Sequence, residues 1–275
     1  MSPRGWNGPN CPLSPGNPSP SSRCGRPCGS TFYAYEHHGA AMIIPSIEEI
    51  IGQDIQALRE CPQAENCAAC QEELCVMIAS VADFPTEYGR FSIIGFVNNR
   101  DGKDHVIVLK GEVGDGENLL LRIHSACLTG DAFGSQRCDC GPQLHHALRR
   151  IEAEGRGAVL YHQAEGRGIG LVNKLRAYAL QDKGYDTYDA NLALGFKADE
   201  RDYAVPAAML KKIGVKSVRL MTNNPEKVEE LERRGIRVAE RVQHELPPQE
   251  NDRAYLLTKK ERFGHFLKLD HRGEK

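Results

Sequence analysis

Three cysteines, Cys127, Cys138 and Cys140, constrain this chain most strongly, because their C-x10-C-x-C spacing lets three thiolates converge on one ion. The loop between them is rich in glycine, and Arg137 next to Cys138 favours the thiolate form. Structural zinc usually has four protein ligands, whereas catalytic zinc keeps one position open for water or substrate. The pattern therefore predicts a catalytic zinc site. The alternative is a structural site that His124 or a more distant residue closes.

Composition limits the classes of protein to which the chain can belong. Its 275 residues suffice for one large domain or two small ones. The formal net charge is −2, so no strongly basic surface predicts a nucleic-acid partner. No apolar run approaches the roughly 20 residues of a bilayer span, and no secretory signal is evident, so we expect no membrane partner and a cytoplasmic location. In a reducing compartment, clustered cysteines more often bind metal or do chemistry than form disulfides.

The N-terminal part differs in composition from the rest. Residues 1–41 are dense in Pro, Gly and Ser, which predicts a disordered extension, and Met42 is a possible alternative start. Residues 42–76 are predicted to form a helical, cysteine-rich segment, with a helix over 43–60. Its C-x5-C-x2-C-x4-C run is either a second metal site or a set of free or oxidised thiols, and it comprises Cys61, Cys67, Cys70 and Cys75.

From residue 91 onward, strand and helix patterns alternate. Strands are predicted over 91–97, 105–111, 119–124, 158–161, 216–222 and 236–242. Helical periodicity marks the stretches around 144–151, 171–179 and 226–234, and the tail 270–275 is expected to fray. This alternation predicts an α/β fold with a layered mixed β-sheet flanked by helices, in a single catalytic domain over 77–270.

Three further motifs can carry chemistry, and each also has a plainer interpretation. E-G-R-G-I-G-L at 165–171 lies between a strand and a helix, so it is either an anion-binding turn or an ordinary connection. The polar stretch 199–203 is either functional or a solvated face. M-T-N-N-P-E-K-V at 221–228 follows a strand, at the edge where α/β sheets bind ligands, so Lys227 could meet a phosphate; the alternative is a capped turn.

The motifs occur in a fixed order between about Met77 and Lys268: H-S-x-C-L-T-G-D, R-C-D-C-G, E-G-R-G-I-G-L-x-N-K-x-R-A-Y-x-L-Q-D, L-G-F-x-A-D-E-R-D and T-N-N-P-x-K. In order and wording they resemble GTP cyclohydrolase II, a zinc hydrolase of riboflavin biosynthesis. The resemblance implies hydrolysis of GTP to 2,5-diamino-6-(5-phospho-ribosylamino)pyrimidin-4(3H)-one, formate and pyrophosphate. It also implies a homodimer with one Zn²⁺ per subunit and with Mg²⁺ on the triphosphate.

The resemblance assigns roles to individual residues. Zinc would be held by Cys127, Cys138 and Cys140, and its water would attack C8 of guanine beside Tyr178. The family's arginine nucleophile and aspartate base for pyrophosphate release match Arg201 and Asp199. Because arginine almost never deprotonates, we interpret Arg201 as a stabiliser of the α-phosphate.

The family's nucleotide contacts match eleven residues of the sequence. Glu165 would accept hydrogen bonds from the guanine edge, and Arg167 and Lys227 would bind the triphosphate. The full set comprises Arg122, Ile123, His124, Ser125, Gln143, Glu165, Gly166, Arg167, Thr187, Thr222 and Lys227.

Two departures from the family pattern leave alternatives open. Ala126 replaces a glutamate, and Gln163-Ala164 replaces Arg-Gln. These changes could mark a specialised paralogue with an altered product or another purine nucleotide as substrate. A non-catalytic zinc or nucleotide-binding module is the alternative of another class. Some family members are fused to a butanone-phosphate synthase. Because only about 80 residues precede the resemblance, we expect a monofunctional protein.

Overall fold

A mixed β-sheet of seven strands organises the part of the chain that the computed structural model describes, residues 74–249 and 251–269. The strands are β1 (Val76–Thr86), β2 (Gly89–Asn98), β3 (His105–Lys110), β4 (Leu119–Ser125), β5 (Gly157–His162), β6 (Ser217–Met221) and β7 (Arg237–Val242). Their spatial order is β1-β2-β3-β5-β4-β6-β7. Pairing is antiparallel from β1 to β5 and parallel from β5 to β7, which confirms the predicted mixed sheet.

Helices connect the strands and cover both faces of the sheet. They are α1 (Leu128–Asp131), α2 (Cys140–Glu154), α3 (Leu171–Gln181), α4 (Thr187–Ala193), α5 (Ala204–Lys212), α6 (Pro225–Arg233) and α7 (Arg253–Phe263), with a 3-10 turn at Glu165–Gly168. On β4, Leu119, Leu121 and Ile123 pack in the core that contains α5, whereas Leu120 packs in the cluster that contains Ile151 of α2. The result is the predicted layered α/β architecture.

Five elements were not predicted from the sequence, and one of them is the single-turn helix α1. β1 is an edge strand whose pairing with β2 shifts between Ile78 and Ser80, so its alternation is broken. α4 spans only seven residues, and α5 has Pro206 in its first turn, where proline is tolerated. α7 lacks a regular apolar face, since its buried residues are Leu256, Thr258 and Lys259.

Several expectations lie outside the described residues. They are the extension 1–41, the helix over 43–60, the cysteines Cys61, Cys67 and Cys70, and the tail 270–275. The four cysteines that the structure does describe form no disulfide. Among the described helices, none is long and apolar enough to cross a membrane.

The crevice between β4 and β6 is the topological switch point of the sheet. From β4 the chain runs through α2 to β5, its neighbour on one side in the sheet. From β6 the chain runs through α6 to β7, in the opposite direction along the sheet. β4 and β6 pair only from Leu119 to Leu121 on β4, although β4 continues to Ser125 beside β5. Ligands in open α/β sheets bind at the carboxyl ends of strands that part in this way.

Candidate active site

A pocket of about 1090 Å³, including its open mouth, lies at the carboxyl ends of β4 and β6. Its lining includes every predicted site residue except Ile123 and Asp199. The Ile123 carbonyl accepts a hydrogen bond from the Lys227 ammonium at 2.8 Å, and Asp199 pairs with Arg201, so both residues support side chains that line the pocket. The predicted residues in the lining are Arg122, His124, Ser125, Cys127, Cys138, Cys140, Gln143, Glu165, Gly166, Arg167, Tyr178, Thr187, Arg201, Thr222 and Lys227.

The three cysteines meet at one end of this pocket, which we call the metal end. Cys127 precedes α1, and Cys140 is the first residue of α2. All three sulfur atoms lie within 4.8 Å of one another, and no other described residues form a group of three potential ligands. His124 is not part of that group, since its Nε2 lies 3.0 Å from both carboxylate oxygens of Asp131. The arrangement therefore matches the open, three-ligand site.

Two glycines allow the cysteines to come this close. A Cβ atom on Gly130 would lie 2.9 Å from the Cys138 sulfur and 3.2 Å from the Cys127 sulfur. A Cβ atom on Gly141 would lie 2.4 Å from the Gly130 carbonyl oxygen. The distances of 2.9 Å at Gly130 and 2.4 Å at Gly141 are too short for a Cβ contact. Glycine is therefore required at both positions because neighbouring atoms approach closely, and not because of the backbone conformation.

The charges at the metal end suit a divalent cation. Hydrogen bonds from Cys138 and Cys140, together with one from Lys174, hold the pKa of the Cys127 thiol far below its ordinary value. That thiolate in turn raises the pKa values of Cys138 and Cys140. Ionisation of one thiol therefore disfavours ionisation of the other two. Zinc binding requires thiolates and itself promotes their ionisation, so the donor set fits Zn²⁺.

Lys174 links the metal end to Glu165, and the sequence interpretation missed it. Its ammonium lies 3.0 Å from the Cys127 sulfur and 2.8 Å from Oε1 of Glu165. It also donates to Thr129, whose hydroxyl lies 3.3 Å from the Tyr178 hydroxyl. The available signal was the N-K-x-R-A-Y motif, which places Lys174 and Tyr178 four residues apart on one face of α3.

Glu165 is already well occupied by the protein. Oε1 accepts from Lys174 and from the backbone amide of Gly166, and Oε2 accepts from the Leu128 amide at 2.7 Å. An ionised carboxylate offers about four acceptor positions. Glu165 thus has room for about one more donor, and it cannot offer the paired acceptors that the sequence interpretation gave it unless a present partner moves.

The turn after Glu165 has an unusual backbone. Gly166 and Arg167 have φ values of 60° and 59°, in the left-handed region. The Arg167 guanidinium lies 3.7 Å from the centre of the Phe263 ring, and within the described structure its buried Nη1 has no hydrogen-bond partner. Burial lowers the pKa of Arg167. This turn therefore holds a half-buried cation with unused donor capacity at the pocket wall, consistent with anion binding.

Three more cations, Arg122, Arg201 and Lys227, group in another part of the lining, which we call the cationic end. Arg122 donates to the Met221 carbonyl at 2.9 Å and to Gln143. Burial lowers the pKa of Arg122 to about 10 and that of Lys227 well below its ordinary value, and neighbouring cations contribute to the effect on Lys227. Burial alone would lower the pKa of Arg201, but Tyr203 and Asp199 raise it above the ordinary value. Buried cations crowded in this way favour a bound polyanion.

Arg201 sits in a fixed position. Its Nε lies 2.9 and 3.0 Å from the two oxygens of Asp199, and its Nη1 lies 3.3 Å from the Ser125 hydroxyl. Tyr203 is fully buried, so the polar stretch 199–203 is not a solvated face. The raised pKa supports the interpretation of Arg201 as a permanent cation.

The motif at 221–228 proves to be both a capped turn and part of the pocket. The Asn224 side chain accepts a hydrogen bond from the Glu226 amide at 3.1 Å and so caps α6. Thr222 and Lys227 line the pocket at the same time. The two interpretations of this motif are therefore compatible.

The departures from the family pattern fall at different places. Ala126 and Ala164 are buried and line the pocket. Gln163 is exposed, and its backbone amide donates to Nδ1 of His105 at 3.1 Å. Only the two alanines can therefore change the space and charge that a ligand meets directly.

The sequence analysis named Arg137 only as a neighbour that favours the Cys138 thiolate, whereas the structure places its guanidinium 5.0 Å from the centre of the Tyr178 ring. Besides Lys174, the sequence interpretation missed the lining residues near the C-terminus. Residues in and just after α7 also line the pocket, namely Tyr255, Lys259 and His265. Tyr255 and Lys259 lie four residues apart on one helix face, but without a predicted α7 no signal placed that face at the pocket.

Comparison with known proteins agrees with the motifs and the geometry. A family model described as GTP cyclohydrolase II matches residues 77–243. Riboflavin biosynthesis protein RibBA of Bacillus cereus (strain ATCC 14579) is 54% identical over 185 residues, which cover 67% of this chain and 47% of the relative. The protein of the same name from Bacillus mycoides (strain KBAB4) matches with the same identity and coverage. The chain thus spans about half the length of these curated relatives. By its matched residues, the chain belongs to the GTP cyclohydrolase II family.

Proposed function

We propose that this protein hydrolyses GTP to 2,5-diamino-6-(5-phospho-ribosylamino)pyrimidin-4(3H)-one, formate and pyrophosphate, the first step of riboflavin biosynthesis. One observation carries the proposal. A single pocket joins a three-thiol cluster that can hold a metal ion to a group of cations that favours a polyanion. A purine nucleoside triphosphate has matching chemistry, with a ring to be opened at one end and phosphates at the other.

Cys127, Cys138 and Cys140 would hold one Zn²⁺ per subunit. Bound there, Zn²⁺ would supply Lewis acidity and a water whose pKa lies near 7. Lys174 would hold Thr129 and Glu165 in place beside it, and the Tyr178 hydroxyl, 3.3 Å from the Thr129 hydroxyl, would orient the reacting ring. Glu165 would accept one hydrogen bond from the guanine edge.

The cationic end would bind the triphosphate. Lys227 and Arg167 would donate to phosphate oxygens, and Arg201, held by Asp199, would stabilise negative charge on the α-phosphate as pyrophosphate leaves. A permanently charged Arg201 suits this role better than nucleophilic attack, which would require deprotonation. Gln143 would keep Arg122 in position, and Ser125, Thr187 and Thr222 would offer hydroxyls to the nucleotide.

The described lining residues do not fit a Mg²⁺ ion held by the protein. Protein-bound Mg²⁺ usually takes one or two carboxylates besides phosphate oxygens. Glu165 is the sole carboxylate among the described lining residues, and Lys174 binds it already. Any Mg²⁺ on the triphosphate would therefore be coordinated by the phosphates and water.

The test is an assay of the purified, zinc-loaded chain with GTP, in which formate, pyrophosphate and the diaminopyrimidine are quantified together. The proposal predicts the three products in equal amounts. The matched control is a chelator-treated sample, which should release no formate. Zinc content without turnover of GTP would instead favour the non-catalytic nucleotide-binding module.

A specialised paralogue is the second candidate, and the buried Ala126 and Ala164 in the lining favour it. Loss of polar side chains at these two positions removes contacts that could select or position the nucleotide. A screen of GTP, ITP, XTP and ATP, with intermediates resolved by mass spectrometry, separates the candidates. Preference for another nucleotide, or accumulation of a formylated product, would establish the paralogue.

Assembly, location and the number of activities remain proposals. A homodimer is implied by the resemblance, and the exposed Val172 and Leu175, three residues apart on α3, offer an apolar surface for a second copy. Light scattering of the wild-type protein and of Val172→Asp tests this assembly.

The cytoplasmic location and the lack of nucleic-acid and membrane partners also stay predictions. Monofunctionality is tested by assaying the full chain for butanone-phosphate synthesis, with no product expected.

A further inference from the structure

Helix α7 follows the part of the chain that matches the family model, which ends at residue 243. Even so, Tyr255, Lys259 and His265 line the pocket. None of these residues belongs to a motif that indicated the site from the sequence. The C-terminal helix is therefore a structural part of the candidate active site, and one of its side chains reaches the metal end.

That side chain is Lys259. Its ammonium lies 2.6 Å from Oδ1 of Asp139, and the two side chains are only 11% and 8% exposed. Asp139 stands between Cys138 and Cys140 in the sequence and is the residue that precedes α2. The ion pair thus holds the short segment that presents two of the three cysteines.

The same carboxylate also connects to the cationic end. Oδ2 of Asp139 accepts a hydrogen bond from the Gln143 side-chain amide, and the Gln143 side-chain oxygen accepts one from Arg122. Arg122 in turn donates to the Met221 carbonyl. A continuous chain of polar contacts therefore runs from α7, past the cysteines, to the carboxyl end of β6.

α7 is anchored independently of Lys259, so it can serve as a fixed support. The Phe266 amide donates to the Asn223 carbonyl at 2.8 Å, and Arg262 donates to Asp189 at 2.7 Å. Leu256 packs in a small buried cluster with Leu267. Phe263 lies under the Arg167 guanidinium. Removal of the Lys259 ammonium would leave these contacts in place.

We propose that Lys259 is a positioning residue for the metal end, which acts through Asp139 to fix Cys138 and Cys140 for metal binding. Loss of one partner from a buried ion pair leaves an uncompensated charge, so the Asp139 segment should move toward water. Outer partners of metal ligands typically change metal affinity or activity by about 10–100-fold. The effect on metal affinity is independent of the reaction, whereas the effect on turnover rests on the proposed function.

The test compares Lys259→Met and Lys259→Arg with Lys260→Met. Lys260 lies on the same helix but donates to the Leu269 carbonyl, away from the pocket, so it is the matched control. Zinc affinity is measured by competition with a chromogenic chelator, and kcat and KM for GTP are measured on zinc-loaded protein. We expect Lys259→Met to weaken zinc binding about 10–100-fold and to lower kcat more than it raises KM. Lys259→Arg should recover most of the loss, and Lys260→Met should match the wild type.

A double-mutant cycle with Asp139→Asn separates positioning from general destabilisation. If Lys259 acts through Asp139, Lys259→Met should weaken zinc binding less in the Asp139→Asn background than in the wild type. Additive losses, or wild-type zinc affinity in a folded Lys259→Met protein, would overturn the proposal. Circular dichroism establishes folding for each variant. If wild-type protein releases no formate from GTP, the proposed function fails, but the zinc measurements still decide the role of Lys259.

Discussion

The metal end and the cationic end of the pocket differ in the sign of the charge that a ligand would have to supply. At the metal end, three sulfurs lie within 4.8 Å of one another, and ionisation of one raises the pKa of the others. At the cationic end, Arg122 and Lys227 are buried, and their pKa values are lowered. One end needs added positive charge and the other needs added negative charge. Under the proposed function, this polarity would orient a nucleotide with its phosphates toward the cationic end.

The two ends also differ in how the protein supports them. The metal end is built from one short segment with glycines at points of close approach, and Lys174 reaches it from α3. The cationic end collects side chains from β4, α6 and the stretch before α5. Two of its cations, Lys227 and Arg122, donate to the backbone carbonyls of Ile123 and Met221, and Arg201 pairs with Asp199. Loss of a cysteine at the metal end should therefore abolish metal retention, whereas losses at the cationic end should be graded.

Cys138→Ser tests the metal end and should have the largest effect. Loss of one thiolate ligand should lower zinc affinity at least about 100-fold. This is the upper end of the range for loss of a residue that only supports a metal ligand. Formate release should cease because the metal is no longer retained. Zinc content and formate are the measurements.

The control for Cys138→Ser is binding of a non-hydrolysable GTP analogue, which should survive because the cationic end is intact. Full formate release by zinc-depleted Cys138→Ser protein would contradict the assignment of the metal end.

Arg201→Ala should reduce pyrophosphate release by about 100-fold or more, as loss of a donor to developing charge typically does. The substitution also leaves the Asp199 carboxylate without its partner, so Arg201→Lys is the milder companion variant. Zinc content should not change in either variant. An unaltered rate of pyrophosphate release would remove Arg201 from the mechanism.

Lys227→Met should raise KM for GTP roughly 10-fold or more, the equivalent of a charge-assisted hydrogen bond of about 1.5–3 kcal/mol. We expect kcat to change little, because Lys227 is assigned to binding. Initial-rate kinetics measure both constants, and Lys211→Met, on an exposed lysine of α5, serves as the control. A fall in kcat at constant KM would place Lys227 with the reacting atoms instead.

The smallest effect concerns His244, which is fully buried and whose Nε2 is 3.0 Å from the Gln143 carbonyl oxygen. Burial, with Arg122 and His146 nearby, lowers its pKa to about 2. From pH 6.5 downward the unfolded chain gains a proton that the folded protein does not take up. The free energy of unfolding should therefore fall by at most about 1.4 kcal/mol for each pH unit below 6.5. Above pH 7, His244 should not contribute to the pH dependence of the free energy of unfolding.

Urea unfolding of the wild type and His244→Gln at pH 7, 6 and 5 measures this dependence. The variant should lose less stability between pH 7 and pH 5 than the wild type does. Equal losses in the two proteins would show that His244 becomes protonated in the folded state.

The sequence predicted most of the parallel half of the sheet and the metal end, because both depend on local patterns. β4, β5, β6 and β7 show strand-like runs, and the three cysteines lie within 14 residues of one another in the chain. The place of Lys227 after a strand indicated a phosphate contact, and motif resemblance added Arg201; both stand more than 60 residues farther along. Their approach to Ser125 and Ile123 depends on the order of the strands, which no local pattern reveals.

What the sequence did not reveal depends on contacts between distant elements. Lys259 and Asp139 are 120 positions apart, and their pairing depends on how α7 docks. Glu165 was assigned to guanine, but its oxygens are largely occupied by Lys174 and by backbone amides of Gly166 and Leu128. Hydrogen-bond occupancy of this kind follows only from three-dimensional packing.

The early end of pairing between β4 and β6 leaves the gap at which the pocket lies. β4 remains paired with β5 through Ser125, so the wall that carries the metal end is braced by the sheet. Beyond Leu121 that brace is missing on the β6 side, where Arg122 contacts the Met221 carbonyl through its side chain alone. Between the carboxyl ends of β4 and β6, cationic side chains therefore take the place of backbone pairing, since Lys227 likewise donates to the Ile123 carbonyl.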